Sequence, residues 1–416
     1  ESTDTSTSDV VDYSNGLRID VDLTKASQQV SKVNGKDTLY GIDKIIGSTQ
    51  NDTFKGDASN NTFEAGAGND ILEGGAGDDY LDGGEDDDTL SGGTGDDQLI
   101  GGLGNDTADY SKRNEAIYAD LSNATPQIIV DTYDGAADGD TTHEFVSTAG
   151  ITKDEVDTIN GIENVTGGSN DDTFIGNSVA NILKGGVGSD TFLIKDTLNV
   201  AGDYIDGGSQ LNGARGNDTV DYSALGTTES VNISLNDTAV ANVTLSGTAN
   251  HHKIIDIENI IGTQGTDTIQ GDSSNNTLDG FSGTHDTLSY SNSSNGVYVN
   301  LGSQVTTDIS GDNVADGIIA NTAQGVINNS EIGTDTIRNF DDVIGGIGKD
   351  TIVGNAGDNT LDGGNGDDLL LGGNGADKLI GGIGSDTASY LLDKSSDNNT
   401  AGVKVSLRQA TGTDGW

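Results

Sequence analysis

Aspartate recurs in this chain on a nine-residue ruler. From Gly47 to Asp109 it stands at Asp52, Asp70, Asp79, Asp88, Asp97 and Asp106, with Asn61 in the one remaining unit between them. Carboxylates at a fixed spacing can share a proton as an acid–base pair, or offer their oxygens jointly to a cation. Other catalytic tools are scarce. Four histidines (His143, His251, His252 and His285) and no cysteine leave no visible constellation for a nucleophile triad or a zinc site. The turn pattern already accounts for the acids, so the chain reads as a non-enzyme. His251 and His252, beside a strand start, read as exposed.

The elements that must position the acids follow from the period. Seven units run without a slip from GSTQNDTFK to GGLGNDTAD, with Asp or Asn sixth and an apolar residue eighth: Phe54, Phe63, Leu72, Leu81, Leu90, Leu99 and Ala108. Nine residues suit neither an amphipathic helix nor an ordinary strand pair. They suit a coil built from a six-residue turn and a three-residue strand, two units per coil, with position eight pointing inward. Glycine at positions one, two and four frees the turns, and stacking buries one apolar column. A thin core of this kind agrees with 5% aromatic residues, one proline and no methionine.

The ruler breaks and resumes, which sets the expected organisation. Residues 1–46 read as spacer coils, 47–109 as the first block and 110–166 as a spacer with a variable loop. The second block, with an insertion, covers 167–221, and a spacer covers 222–261. A short degenerate third block (262–288), a spacer with a variable loop (289–344) and a fourth block (345–389) follow, and 390–416 opens a further spacer. Each spacer starts at a Tyr-Ser motif such as ADYS at Ala108 or VDYS at Val220, continues with period-two apolar residues, and ends in a segment such as DTINGIENVTGG or HKIIDIENIIGT. The alternation predicts a half-buried strand, and the closing segment a wider coil of the same solenoid.

A formal charge of -49, from 68 acidic and 19 basic residues, excludes nucleic acid and anionic lipid as natural partners and favours cations. No apolar run reaches membrane-spanning length, so no membrane insertion is expected. The start at Glu1 and the end inside a repeat read as a piece of a longer protein. Position seven of the first block mixes Thr with Ile71, Tyr80 and Gln98, too irregular for an ice-binding face.

The units resemble the G-G-x-G-x-D-x-U-x repeats of the RTX family, the hemolysin-type calcium-binding nonapeptides. The resemblance implies an all-β fold: a right-handed parallel β-roll or β-helix solenoid of several concatenated calcium-binding blocks with wider spacer coils, filled with multiple Ca2+ ions. Units two apart then stack, and position-six carboxylates 18 residues apart lie about 4.8 Å from each other. Such pairs repel by roughly 1 kcal/mol even in water. Calcium takes six to eight hard oxygens in a tolerant geometry, so folding and ion binding become one event.

Carried over residue by residue, the ligand role falls to Asp52, Asp70, Asp88 and Asp106 on one edge of the first block, and to Asp79 and Asp97 on the other. In the second block it falls to the single same-edge pair Asp172 and Asp190, with Asp218 in an isolated unit. Asp267 represents the third block, where its next partner, Asp286, is 19 residues on and out of register. The last block offers Asp350, Asp368, Asp377 and Asp386. The second unit of each block carries asparagine (Asn61, Asn181, Asn276, Asn359), an uncharged step that starts each roll without metal. Asp86 replaces a position-four glycine and is expected to strain its turn or add a ligand. The competing reading is a metal-free solenoid whose aspartates only cap turns.

For function, the resemblance implies an extracellular or bacterial cell-surface segment, structural or adhesive, that calcium folds and stiffens within a larger exported surface-layer or matrix protein. Type I secretion is the expected route. The alternative is an accessory region of an exported polysaccharide-modifying enzyme or toxin whose active domain lies elsewhere. Expected partners are calcium ions, and self-association or cell-surface and matrix glycans through the variable loops at 123–154 and 303–331.

Overall fold

A three-residue strand buries one side chain on its inner face, so this chain must stack many strands to make a core. The computed structural model describes residues 9–25, 30–32, 35–40, 42, 44–122, 127–131, 155–195, 202–208, 216–236, 239–245, 251–302, 321–325 and 331–390. Every regular element among them is a β-strand. The chain forms two compact units, Glu1–Thr284 and His285–Trp416. The expected variable loops lie outside the described residues except at 127–131, 321–325 and 331, and His143 lies outside them altogether.

In the first unit, parallel pairing places each position-eight residue on the one 18 residues later: Phe54 on Leu72, Leu72 on Leu90 and Leu90 on Ala108. A second sheet runs Ile45, Phe63, Leu81, Leu99 and Ile159. Both ladders pass into the spacer, since Ala108 pairs with Val165. The second unit repeats the arrangement, with Ile352 on Leu370 in one sheet and Val343 on Leu361 in the other. These side chains are buried, and each Val, Ile, Leu or Phe among them is worth about 1.5–3 kcal/mol. The parallel two-units-per-coil roll is thus as expected.

Strand length departs from expectation in one place. Five strands of the first block are six residues long, from Thr62–Ala67 to Gln98–Leu103. There the position-two glycine extends the ladder at positive φ: Gly84, at φ 113°, pairs with Gly66 and Gly102, and an added methyl would lie 2.0 Å from the Gly66 carbonyl oxygen.

The spacers hold a strand not foreseen in their polar stretches. Ala116–Asp120 pairs antiparallel with Gln127–Asp131, which pairs antiparallel with Glu155–Asn160. The same excursion recurs as Val231–Ser234, Ala241–Leu245 and His251–Ile255, and in the second unit as Val297–Asn300, Thr322–Gly325 and Thr334–Arg338.

The tyrosine of the Tyr-Ser motif locks two of these three excursions to their coils. The Tyr110 hydroxyl donates to Asp157 Oδ2, and Tyr290 donates to Asp335 Oδ2 at 2.7 Å. Burial, reinforced by the facing carboxylate, pushes both phenols up. At the equivalent place of the third spacer the sequence has His252, opposite Tyr222. His252, expected at the surface, is 1% exposed. Burial pushes its imidazole down to about 4, so it is neutral, and its Nδ1 lies 3.6 Å from Asp203 Oδ2, beyond hydrogen-bond reach. Among the described residues, neither of its ring nitrogens nor the Tyr222 hydroxyl has a hydrogen-bond partner. The two rings meet edge to face at 6.1 Å.

One substitution should therefore have opposite effects at two matched sites. Tyr110→Phe strands the Asp157 oxygen and is expected to cost about 1–3 kcal/mol, whereas Tyr222→Phe removes an unsatisfied hydroxyl and is expected to be neutral or stabilising. Amide hydrogen exchange over Glu155–Asn160 and His251–Ile255 measures each locally. Equal losses of protection would refute the pairing.

Candidate metal centres

Each turn is tied to the coil after it by its position-six carboxylate. The Asp52 N–H donates to Asp70 Oδ1 at 2.6 Å, Asp70 to Asp88 at 2.7 Å, and Asp88 to Asp106 at 2.8 Å. On the opposite edge Asn61 donates to Asp79 at 2.7 Å, and Asp79 to Asp97 at 2.8 Å. The fourth block repeats this from Asp350 to Asp368 and from Asp368 to Asp386. Position-five side chains work in the other direction: the Asp96 N–H donates back to Asp78 Oδ1, and Asn105 to Asp87.

Oδ1 is thus committed to backbone, while Oδ2 faces the turn. A methyl at the position-one residue Gly74 would lie 2.2 Å from Asp79 Oδ2 and 2.5 Å from the Gly92 carbonyl oxygen, so glycine here opens a cradle lined by a carboxylate and a carbonyl. Gly185, beside Asp190 and the Gly207 carbonyl, and Gly363, beside Asp368 and the Gly381 carbonyl, are built alike. Oδ2 of Asp70, Asp79, Asp88, Asp97, Asp106, Asp190 and Asp368 is buried without a partner among the described residues. A buried bare carboxylate oxygen is costly unless something positive meets it.

The electrostatics agree. Burial pushes Asp70, Asp97 and Asp218 up to about 8, Asp88 and Asp190 to about 7, and Asp79 and Asp106 to about 6, against the N–H bonds that pull them down. Neighbouring carboxylates push the same way: Asp88 and Asp52 beside Asp70, and Asp157 beside Asp97. Among the described residues no three acid or histidine side chains converge on a point. The cradles instead combine carboxylates from stacked turns with backbone carbonyls, a hard-oxygen donor set suited to calcium.

Four of the expected ligands stand apart. Asp52, Asp172, Asp267 and Asp350 open their blocks, and both oxygens of each already accept backbone N–H groups. One comes from the preceding spacer (Ile19, Ile117, Val231, Val297) and one from their own turn (Ser48, Gly168, Thr263, Gly346). They seal the entry of each roll. Asp267 does so in the first unit, and Asp286 belongs to the second.

Asp190 and Asp172 are not a lone pair. The Asp190 N–H donates to Asp218 Oδ1 at 2.8 Å across 28 residues, because Thr191–Leu193 pairs with Thr219–Asp221. Asp377 accepts the Asn359 N–H at 3.0 Å, while Asp386 is exposed at the end of the described residues.

The asparagines put an amide where other units place a bare oxygen. Asn181 and Asn359 donate their NH2 to the carbonyls of Glu163 and Asp341, both at 2.7 Å, and Oδ1 accepts an N–H of their own turn. Asn61 and Asn276 likewise accept from Asp57 and Asp272. Asp86 takes φ 77°, a left-handed conformation unusual for aspartate, and its carboxylate turns to the Gly68 N–H rather than into a cradle.

Sequence reasoning missed the acids the spacers contribute. Asp97 donates its N–H to Asp157 Oδ1 at 2.9 Å, Asp106 to Glu163 and Asp218 to Glu258, each at 3.0 Å. The I-E-N shared by DTINGIEN and HKIIDIEN carries the glutamate signal without the glycine ruler.

A family model described as the RTX calcium-binding nonapeptide repeat (4 copies) matches residues 37–72, 73–108, 157–193, 257–284, 344–379 and 353–388. No curated protein matches the chain.

Proposed function

Because the chain carries RTX calcium-binding nonapeptide repeats, whose ions are calcium, we propose that it is an extracellular structural segment, folded and stiffened by calcium, within a larger exported cell-surface, surface-layer or matrix protein. The observation that carries this reading is the row of bare, buried Oδ2 atoms along both roll edges. Bound calcium supplies the positive charge those oxygens lack. Asp70, Asp88 and Asp106 would hold it on one edge of the first roll and Asp79 and Asp97 on the other, with Asp190 and Asp218, and Asp368, Asp377 and Asp386, in the later rolls. Oδ1 of these residues keeps the turn shaped, and the glycine carbonyls complete the donor set.

Two observations support a location outside the cell. Extracellular-type sites bind at roughly 10⁻⁴ to 10⁻³ M, concentrations met there. A charge of -49 makes the ion-free chain self-repelling. The segment contributes no catalysis of its own in this reading, since its acids are committed to turns.

Single-molecule stretching of the full chain tests the mechanical role. In millimolar calcium the rolls are expected to unfold in discrete force events, and in chelator the chain is expected to extend without them. Identical traces in the two conditions would remove the basis for a calcium-stiffened segment.

A further inference from the structure

Inside a roll, a cradle needs three parts: a position-one glycine, the aspartate five residues on, and a carbonyl from the stacked coil, with the next carboxylate taking the aspartate's N–H. At the end of the first roll no nonapeptide follows, yet all three parts are present. Asp106 is fully buried and its Oδ2 has no partner. A methyl at Gly101 would lie 2.1 Å from the Gly161 carbonyl oxygen and 2.7 Å from Asp106 Cγ, and Glu163 Oε2 takes the Asp106 N–H at 3.0 Å.

The second roll ends on a related arrangement, with the glycine eleven rather than five residues before its aspartate. A methyl at Gly207 would lie 2.1 Å from the Asp256 carbonyl oxygen and 2.6 Å from Asp218 Oδ2, and Glu258 Oε2 takes the Asp218 N–H at 3.0 Å. Gly161 and Asp256 occupy matching positions, both left-handed at φ 61° and 52°. An aspartate adopts that conformation at a cost, so its carbonyl direction is maintained against local preference. Glutamate's extra methylene spans the wider spacer coil.

We propose that the spacer coil closes one further calcium site at the end of each of these rolls, formed by Asp106, Glu163 and the Gly161 carbonyl in one and by Asp218, Glu258 and the Asp256 carbonyl in the other. The proposal rests on the calcium reading above and extends it beyond the nonapeptides. The opposite edge does not share this closure: Asp157 Oδ2 is taken by Tyr110, and its counterpart is His252. The spacer is then fixed to its roll by the ion as well as by the ladder, so calcium orders the base of the excursion it carries.

The test counts calcium ions bound to the full chain at saturation, by equilibrium dialysis, for the parent, Glu163→Gln, Glu258→Gln and the double variant. Glutamine still accepts the aspartate N–H, as Asn61 and Asn181 accept N–H groups in their own turns. The expected result is the loss of one ion in each single variant and two in the double, with circular dichroism at saturating calcium unchanged. A double variant that binds as many ions as the parent, with the same midpoints, overturns the proposal and leaves the roll sites standing. A parent that binds no calcium overturns both.

Amide exchange in the parent gives a second measure independent of any variant's folding. The Asp106 and Asn164 amides should gain protection only as calcium is added. Full protection in chelator also overturns the proposal.

Discussion

In chelator near neutral pH the chain is expected to lose most of its β signal, and acid alone is expected to restore part of it. The sign follows from the carboxyls. Free aspartate titrates near 3.9, whereas folded and ion-free Asp70, Asp97 and Asp218 are pushed up to about 8, and Asp88 and Asp190 to about 7. A raised folded pKa means that the folded state holds its protons more tightly than the unfolded state. The penalty is absent below the unfolded pKa and complete above the folded one, so ion-free stability falls as pH rises from about 4 to about 8.

With calcium bound the dependence reverses, because ligation requires the ionised form and protons compete for it. Thermal scans by circular dichroism across this range, in chelator and in millimolar calcium, should therefore slope in opposite directions. General self-repulsion also relaxes in acid, but molar salt, with a screening length of about 3 Å, relaxes it at neutral pH too. Salt should restore less structure than acid. Ion-free rolls as ordered at neutral pH as in acid would sink the mechanism.

Asp88→Ala is expected to be the most damaging single substitution in the first roll. Its Oδ1 accepts the Asp70 N–H at 2.7 Å, its N–H donates to Asp106 Oδ1 at 2.8 Å, and its Oδ2 is bare, so it belongs to the junctions on both sides. Losing a buried hydrogen bond to a charged group costs about 1.5–3 kcal/mol before any ion is considered. With two shared sites weakened, the calcium midpoint of residues 47–109 should rise at least about tenfold, and the transition should lose cooperativity. Asn61→Ala removes one neutral acceptor for the Asp57 N–H and should shift the midpoint far less. Calcium titration followed by exchange mass spectrometry localises the response to this block. Indistinguishable midpoints for Asp88→Ala and the parent would refute the shared-ligand arrangement.

The inward column and the stacking of position-six carboxylates are legible in the nine-residue period, whereas the saturation of the opening Asp52, Asp172, Asp267 and Asp350 by spacer and turn N–H groups is not. Position eight lies inside because only it is apolar in every unit, and Asp70, Asp88 and Asp106 stack because 18 residues make one coil. The period fails where a coil changes size. Asp190 meets Asp218 across 28 residues, through a detour by way of Tyr204–Asp206 that has no full glycine ruler. Asp157 and Glu163 lie 60 and 57 residues from their partners, on the far side of an excursion whose length sequence does not constrain.

His252 reads as exposed because it stands beside a strand start. Its alignment with Asp157 in the repeated spacer pattern places it inward, opposite a tyrosine. The middle strand Ala241–Leu245 does alternate, but it sits in a stretch whose polar residues read as loop.

The carboxylate ladder gives the rolls a polarity. In the first, second and fourth rolls the position-six side chain reaches toward the N-terminus, so the position-six N–H of a given turn is satisfied only once the coil after it is in place. A cut at the C-terminal side therefore leaves position-six donors hanging, while a cut at the N-terminal side frees position-six carboxylate oxygens and strands the position-five donors, whose bonds run the other way. Coils that assembled from the C-terminal end would each arrive with their acceptor already waiting, and coils added from the N-terminal end would each wait for one more. Each roll edge thus carries two side-chain ladders of opposite sense, and only the buried position-six ladder favours growth toward the beginning of the chain.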